Sequence, residues 1–160
     1  MLLWCRKSRF YPKLITCVRA ISTSGDGYLQ VLLPYIYCLI LPELGFPFAS
    51  LLLKSFALER CLYFILKNSL RRKRPPDIVP DFSSIVTASD KFSFPSGHTM
   101  AAFLLANLTL MEFGLVAFPI MIWAMGVSCS RVILGVHFPS DIIAGALLGT
   151  CIAQLTSGIY

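Results

Sequence analysis

The apolar positions of this chain gather into five runs, separated by short polar breaks and one long one. The runs span about Tyr28 to Glu43, Phe46 to Leu66, Thr99 to Met111, Leu115 to Leu134 and Ser140 to Tyr160. A helix that crosses a bilayer needs about 20 mostly apolar residues to cover a hydrocarbon core of about 30 Å. The runs are therefore predicted as helices of that kind, with Pro34 as a kink in the first. The third is short, and its boundary with the fourth lies near Glu112-Phe113-Gly114. Residues 1–22 alternate basic and apolar positions without a run long enough to cross, the pattern of a helix lying in the interface. Ser24-Gly25-Asp26-Gly27 reads as a turn, with Asp26 as a turn residue. The long polar break, residues 67–97, contains Pro75, Pro76 and Pro80, which forbid a continuous helix.

The expected fold is an all-α membrane protein, a bundle of about five transmembrane helices with an N-terminal interfacial helix. One domain covers 1–160: the interfacial helix at 1–22, two spans in 28–66, an active-site loop at 67–97 and three spans in 98–160. Counting crossings puts the long loop and the short stretch Gly135-Val136-His137-Phe138-Pro139 on the same side of the membrane.

Composition agrees with this pattern. Of 160 residues, 56% are hydrophobic and 14% charged, whereas a soluble domain carries roughly a quarter charged residues. The net charge of +6 is concentrated in two clusters. Arg6, Lys7, Arg9, Lys13 and Arg19 read as a topology or headgroup signal. Lys67, Arg71, Arg72, Lys73 and Arg74 form the second cluster. The six cysteines show no paired spacing, so neither a disulfide framework nor a zinc site is expected. The apolar start Met-Leu-Leu-Trp stops at Arg6, too early for the apolar region of a secretory signal.

Both histidines of the chain lie in or beside the two same-side loops. His98 follows Pro95-Ser96-Gly97 at the start of the third run, and His137 ends the fourth. Two histidines beside a basic cluster point to a site more than a lone membrane-edge histidine does. A phosphate group finds several partners here. Ser96-Gly97-His98 opens a helix, whose first amides are unpaired donors, and Gly97 allows close approach to the backbone. Arg74 and Arg131 offer planar forks and Lys67 a point charge. Arg131 sits in the last turns of an apolar run, where a charge needs a partner or a polar cavity; Glu59 and a phosphate pocket are the two candidates. Imidazole attacks phosphorus when one nitrogen is held and the other free. Asp141, four residues after His137, suits the holding role, and His98 suits proton transfer. Asp77, Asp81 and Asp90 do not make a clustered set for a magnesium pair, so no metal and no cofactor are expected.

Lys67, six residues, Arg74-Pro75; then Pro95-Ser96-Gly97-His98; then Ser130-Arg131, five residues, His137, three residues, Asp141: this ordered set resembles the three-part signature of the type 2 phosphatidic acid phosphatase superfamily. The resemblance covers roughly residues 25–160 and shows no departure from the pattern. It implies a helical bundle with His137 as nucleophile, Asp141 as its partner and His98 as acid/base. Lys67, Arg74, Ser96, Gly97 and Arg131 bind phosphate in that reading. Soluble acid phosphatases and vanadium haloperoxidases share the pocket; the apolar runs favour the membrane branch, and the wording of the first two motifs is similar to small bacterial members. The expected substrate is a membrane lipid phosphate or diphosphate of the polyprenyl diphosphate, phosphatidic acid or phosphatidylglycerol phosphate class. The expected reaction is hydrolysis, with phosphotransfer to a second lipid and a non-enzymatic transporter or scaffold as alternatives. The expected partners are that substrate and the bilayer, with no nucleic acid. The resemblance places the protein as a multi-pass component of a bacterial inner membrane, its site toward the extracytoplasmic face; the basic clusters alone point to the cytoplasm.

Three further features stand outside the signature. Lys54, Glu59 and Arg60 interrupt the second run, as an interhelix ion pair or as functional charges. Asn107 predicts an interhelix hydrogen bond. The tyrosines and Trp123 suit interfacial belts or packing.

Overall fold

The computed structural model describes residues 11–88 and 90–158. Those residues form helices α1 (Tyr11–Ser24), α2 (Tyr28–Ile40), α3 (Pro42–Leu70), the single turn α4 (Pro75–Ile78), α5 (Gly97–Phe113), α6 (Phe118–Ile133) and α7 (Pro139–Ser157). Among them there is no strand, so the all-α expectation holds.

The first boundary differs from the expected one. The run to Glu43 is split: α2 ends at Ile40 and Leu41 alone joins it to α3. Pro42 explains the break, because proline lacks the N–H that would continue α2 yet suits the first position of a new helix. The soft boundary between the third and fourth runs resolves into a 3₁₀ turn over Gly114–Ala117. Among the described residues two stretches are long and apolar enough to cross a membrane, Gly97–Ile133 and Pro139–Ser157. The 13 residues of α2 extend only about 20 Å. α3 is longer, but Lys54, Glu59 and Arg60 dilute its apolar run.

α5 is the central post. Met100, Leu104 and Leu105 are wholly buried there, packed with Phe48 and Leu52 of α3 and Ile152 and Ala153 of α7. Its opposite face sets Ala102 and Ala106 against Ala124 and Val127 of α6. Asn107 donates to Thr150 Oγ1 of α7 at 3.1 Å, the expected interhelix bond. The α5–α7 contact is close because of two glycines four residues apart. A Cβ on Gly149 would lie 2.3 Å from the Met100 carbonyl oxygen, and one on Gly145 2.8 Å from that of Ser96; small residues at this spacing let backbones touch. The outer faces are apolar and open: Leu53, Phe64, Leu115, Val116, Ile143 and Leu155 are all exposed.

α1 is docked on the bundle. Its buried positions Ile15, Val18 and Ser22 follow helical spacing, and Val18 packs with Leu134, Val136 and Ile85. The expected helix at 1–22 thus begins, among described residues, at Tyr11 and extends to Ser24; residues 1–10, with Cys5, Arg6, Lys7 and Arg9, lie outside the described residues, as do Ser89, Ile159 and Tyr160. The long loop is tied down as well: Ile85 N–H donates to Leu134 O at 2.9 Å and Ser93 N–H to Arg72 O at 2.7 Å.

Candidate active site

The buried stripe of α3 reads Gly45, Phe48, Leu52, Ser55, Glu59, Tyr63, Lys67, spaced by three or four residues as one helix face requires. It is apolar at one end and polar at the other. The polar end meets the starts of α5 and α7, the end of α6 and the turn between α1 and α2. All eight predicted site residues, Lys67, Arg74, Ser96, Gly97, His98, Arg131, His137 and Asp141, belong to this end of the bundle. A cleft of about 640 Å³ opens there, lined by Gly97, His98, Arg131 and His137 together with Asp26, Gln30, Arg60, Tyr63 and Asp90.

On one side of the cleft the cations are already occupied. Asp90, from the long loop, forms ion pairs with Lys67 and Arg74 and accepts a hydrogen bond from the Tyr63 hydroxyl. Lys67 Nζ also donates to Tyr63 Oη at 2.8 Å. Arg74 reaches further, donating through Nε to Asp90 O at 3.0 Å and through Nη1 to Val136 O. Burial alone raises a carboxyl, but the bonds from Lys67 and Tyr63 and the charges of Lys67 and Arg74 outweigh it and hold Asp90 at about 2.

On the other side, partners are missing. Arg131 donates through Nη1 to Ser22 Oγ of α1 at 2.8 Å, while its Nε is buried without a partner. The expected alternative, a bond from Arg131 to Glu59, does not form, because Glu59 is taken by its neighbour Arg60. His137 is 3% exposed, and its Nδ1 stands 3.6 Å from Asp141 Oδ2, beyond hydrogen-bond length. Burial first, then the charges of Arg74 and Arg131, push His137 below the ordinary imidazole value, against the opposing pull of Asp141. Gly135 shapes this turn: it has φ +78, and a Cβ there would lie 2.8 Å from the Phe82 ring, so only glycine fits.

Asp141 is itself firmly held. One oxygen accepts from Arg72 Nη1 at 2.7 Å. The other accepts from Ser93 Oγ and from the Phe138 N–H, the latter at 2.8 Å. It therefore caps the start of α7 while facing His137. Ser96 is wholly buried at the start of α5 and accepts from Thr99 Oγ1 at 3.1 Å. Gly97 is packed more closely than expected. The space its Cβ would fill is taken by the Tyr63 ring, 2.8 Å away, so its small size serves a side-chain contact as well as the cleft. His98 Nε2 lies 2.7 Å from Asp26 Oδ1.

Four contacts were not visible in the spacing of residues. Asp26 does occupy a turn, its N–H bonded to Thr23 O at 3.0 Å, yet its carboxylate also meets His98. Asp90, Arg72 and Ser93 hold site residues from the long loop. Tyr63 could have been found, because it precedes Lys67 by one helical turn.

The chain is thus an all-helical bundle with an arginine- and histidine-lined cleft at one end. The chain belongs to the PAP2 superfamily, whose family model matches residues 48–160. Among solved structures it is similar to LpxE of Aquifex aeolicus, with a TM-score of 0.79 and 26% identity, covering 92% of this chain and 87% of that one. It is also similar to the transmembrane PAP2 type phosphatidylglycerolphosphate phosphatase of Bacillus subtilis, with a TM-score of 0.58 and 25% identity over 99% of this chain and 90% of that one. Phosphatidylglycerophosphatase B of Bacillus subtilis is 36% identical over 119 residues, 68% of this chain and 56% of the relative. The chain spans about half the length of the curated relatives it matches.

Proposed function

We propose that this protein is a multi-pass membrane phosphatase that removes phosphate from a membrane lipid through a phosphohistidine at His137. The observation that carries the reading is where unsatisfied groups gather. Among the described residues three buried side-chain atoms have no hydrogen-bond partner: Gln30 Oε1, Arg131 Nε and His137 Nδ1. All three residues line the same cleft. Buried polar atoms are normally paired; His137 Nδ1 faces Asp141 and Gln30 Oε1 can only accept, so Arg131 Nε is the donor left for an anion in the cleft.

In this reading Lys67, Arg74, Arg131, Ser96 and the Gly97 N–H hold the phosphate oxygens. The outer nitrogen of His137, opposite the one facing Asp141, attacks phosphorus as the bond to the lipid oxygen breaks. His98 gives its proton to that departing oxygen. Asp141 balances the charge gained by the ring. Water then attacks the phosphohistidine and surrenders a proton to His98, which frees inorganic phosphate and restores both histidines. No metal is used in these steps. The substrate is of the polyprenyl diphosphate, phosphatidic acid or phosphatidylglycerol phosphate class.

The exposed apolar flanks support embedding in lipid. With five crossings by α2, α3, α5, α6 and α7, α1 lies at the membrane surface on the side of the cleft. That side is extracytoplasmic in an inner-membrane setting; an active periplasmic reporter fused to the C-terminus contradicts this arrangement. The central test uses detergent-purified protein and lipid labelled in its terminal phosphate. Release of labelled phosphate, with an acid-labile phosphoprotein absent from His137→Ala, is expected. Label that leaves only when an acceptor lipid is supplied marks phosphotransfer instead, and no loss of function in His137→Ala sinks the enzyme reading.

A further inference from the structure

Arg60 lines the same cleft as His98, Arg131 and His137, yet the steps above do not use it. It lies on α3 two helical turns before Lys67, toward the apolar end of the stripe, where Val31, Phe56 and Ala101 also line the cleft. Its side chain is 45% exposed, whereas that of Glu59 is wholly buried. Nε and Nη2 of Arg60 each stand 2.5 Å from an oxygen of Glu59, a forked pair that fixes the guanidinium plane. Among the described residues Nη1 makes no hydrogen bond. The guanidinium carbon lies 4.6 Å from the centroid of the Tyr63 ring, and Lys67 Nζ lies 4.6 Å from the same centroid. The two cations are therefore no further apart than twice that distance.

An ion pair with one buried partner is often no better for stability than two apolar residues, and charges within a lipid-embedded helix are costly. Retaining one at the cleft wall makes chemical sense if the cation meets a ligand. A lipid whose scissile phosphate rests on Lys67, Arg74 and Arg131 must lead its tail toward the apolar flank, and it passes Arg60 on the way. We infer that Arg60 binds a second, non-scissile phosphate of the substrate. The preferred substrates are then lipids with a further phosphate group between the phosphate removed and the hydrocarbon, rather than lipids with one phosphate alone.

This inference rests on the cleft being the phosphatase site, and the test separates the two. Wild type, Arg60→Gln and Arg60→Lys are assayed in mixed micelles on phosphatidylglycerol phosphate and on phosphatidic acid with matched acyl chains. Wild type is expected to favour the two-phosphate lipid in kcat/KM. Arg60→Gln is expected to lose about tenfold on that lipid, mainly through KM, a loss typical of one charge-assisted contact. It should lose less than about twofold on phosphatidic acid. Arg60→Lys should recover part of the difference, because a point charge replaces a fork. Equal losses on both lipids mark a structural role and overturn the inference, as does no loss on either. Where Arg60→Gln fails to fold because Glu59 is stranded, the double change Glu59→Gln with Arg60→Gln removes the stranded charge and must show the same selectivity. Wild-type turnover of phosphatidic acid without preference sinks the inference and leaves the phosphatase reading standing; no phosphate release from either lipid sinks both.

Discussion

Lys67 and Arg74 face a carboxylate of their own chain, whereas Arg131 and His137, across the same cleft, keep buried nitrogens without partners. The first side is complete at rest: Asp90 supplies the negative charge that two cations need, and Tyr63 ties the group together. The second side is left wanting. A phosphate arriving on the first side competes with Asp90, so its gain there is a difference between two anions. On the second side, in the proposed reading, it satisfies Arg131 Nε, which nothing else in the resting fold satisfies, and the gain is larger. The proposed function thus concentrates binding strength and chemistry where the resting fold is least settled.

His137→Ala tests the open side at its extreme. It removes the proposed nucleophile, and phosphate release from lipid should fall by at least about 10⁴-fold, as for nucleophile losses generally. Arg131→Ala should come next, lowering kcat about 10²- to 10³-fold by the loss of one donor to the developing charge. Lys67→Ala, on the occupied side, should cost about tenfold, because Arg74 remains and Asp90 is loosened. Equal losses from Arg131→Ala and Lys67→Ala, measured side by side on one lipid, break the comparison.

Two pH profiles sharpen it further. Because burial and the two arginines lower His137, its neutral, attacking form persists below pH 6.5. The acid limb of kcat/KM should therefore fall below that pH. Asp141→Asn removes an influence that raises His137, so the limb should move further into acid. The smallest effect belongs to Asp90. A carboxyl whose folded value is lowered stabilises the fold fully above its ordinary 3.8, and this contribution fades as pH drops toward about 2. Thermal unfolding should show an acid limb in that window, and Asp90→Asn should flatten it.

Much of the arrangement was legible beforehand, and the reason is spacing. Apolar runs mark helices because burial repeats every three to four residues, and α5, α6 and α7 fall where the runs predicted. Pro42 moved one boundary because its backbone chemistry outranks the apolar character of Leu41 and its neighbours. At the site, Lys67, Arg74, His98, Arg131, His137 and Asp141 stand at helix ends or beside a proline, positions that a linear reading can locate. Asp26 with His98, Asp90 with Lys67 and Arg72 with Asp141 were not legible. Each pair joins segments far apart in the chain, and no local periodicity links them. For Glu59 and Arg60 the sequence leaves an interhelix ion pair and a functional role open; they pair with each other, as neighbours within α3.

The two glycines of α7 have a mechanical consequence. With the α5 and α7 backbones touching, these helices behave as one strut, and Ser96, His98 and Asp141 ride on it together. Ser96 N–H donates to Asp141 O at 3.2 Å, which pins the two helix starts to each other. If the cleft admits a lipid as proposed, any widening of the doorway must come from the other jamb, formed by α2 and the Asp26 turn, while the anvil of helix starts keeps its shape.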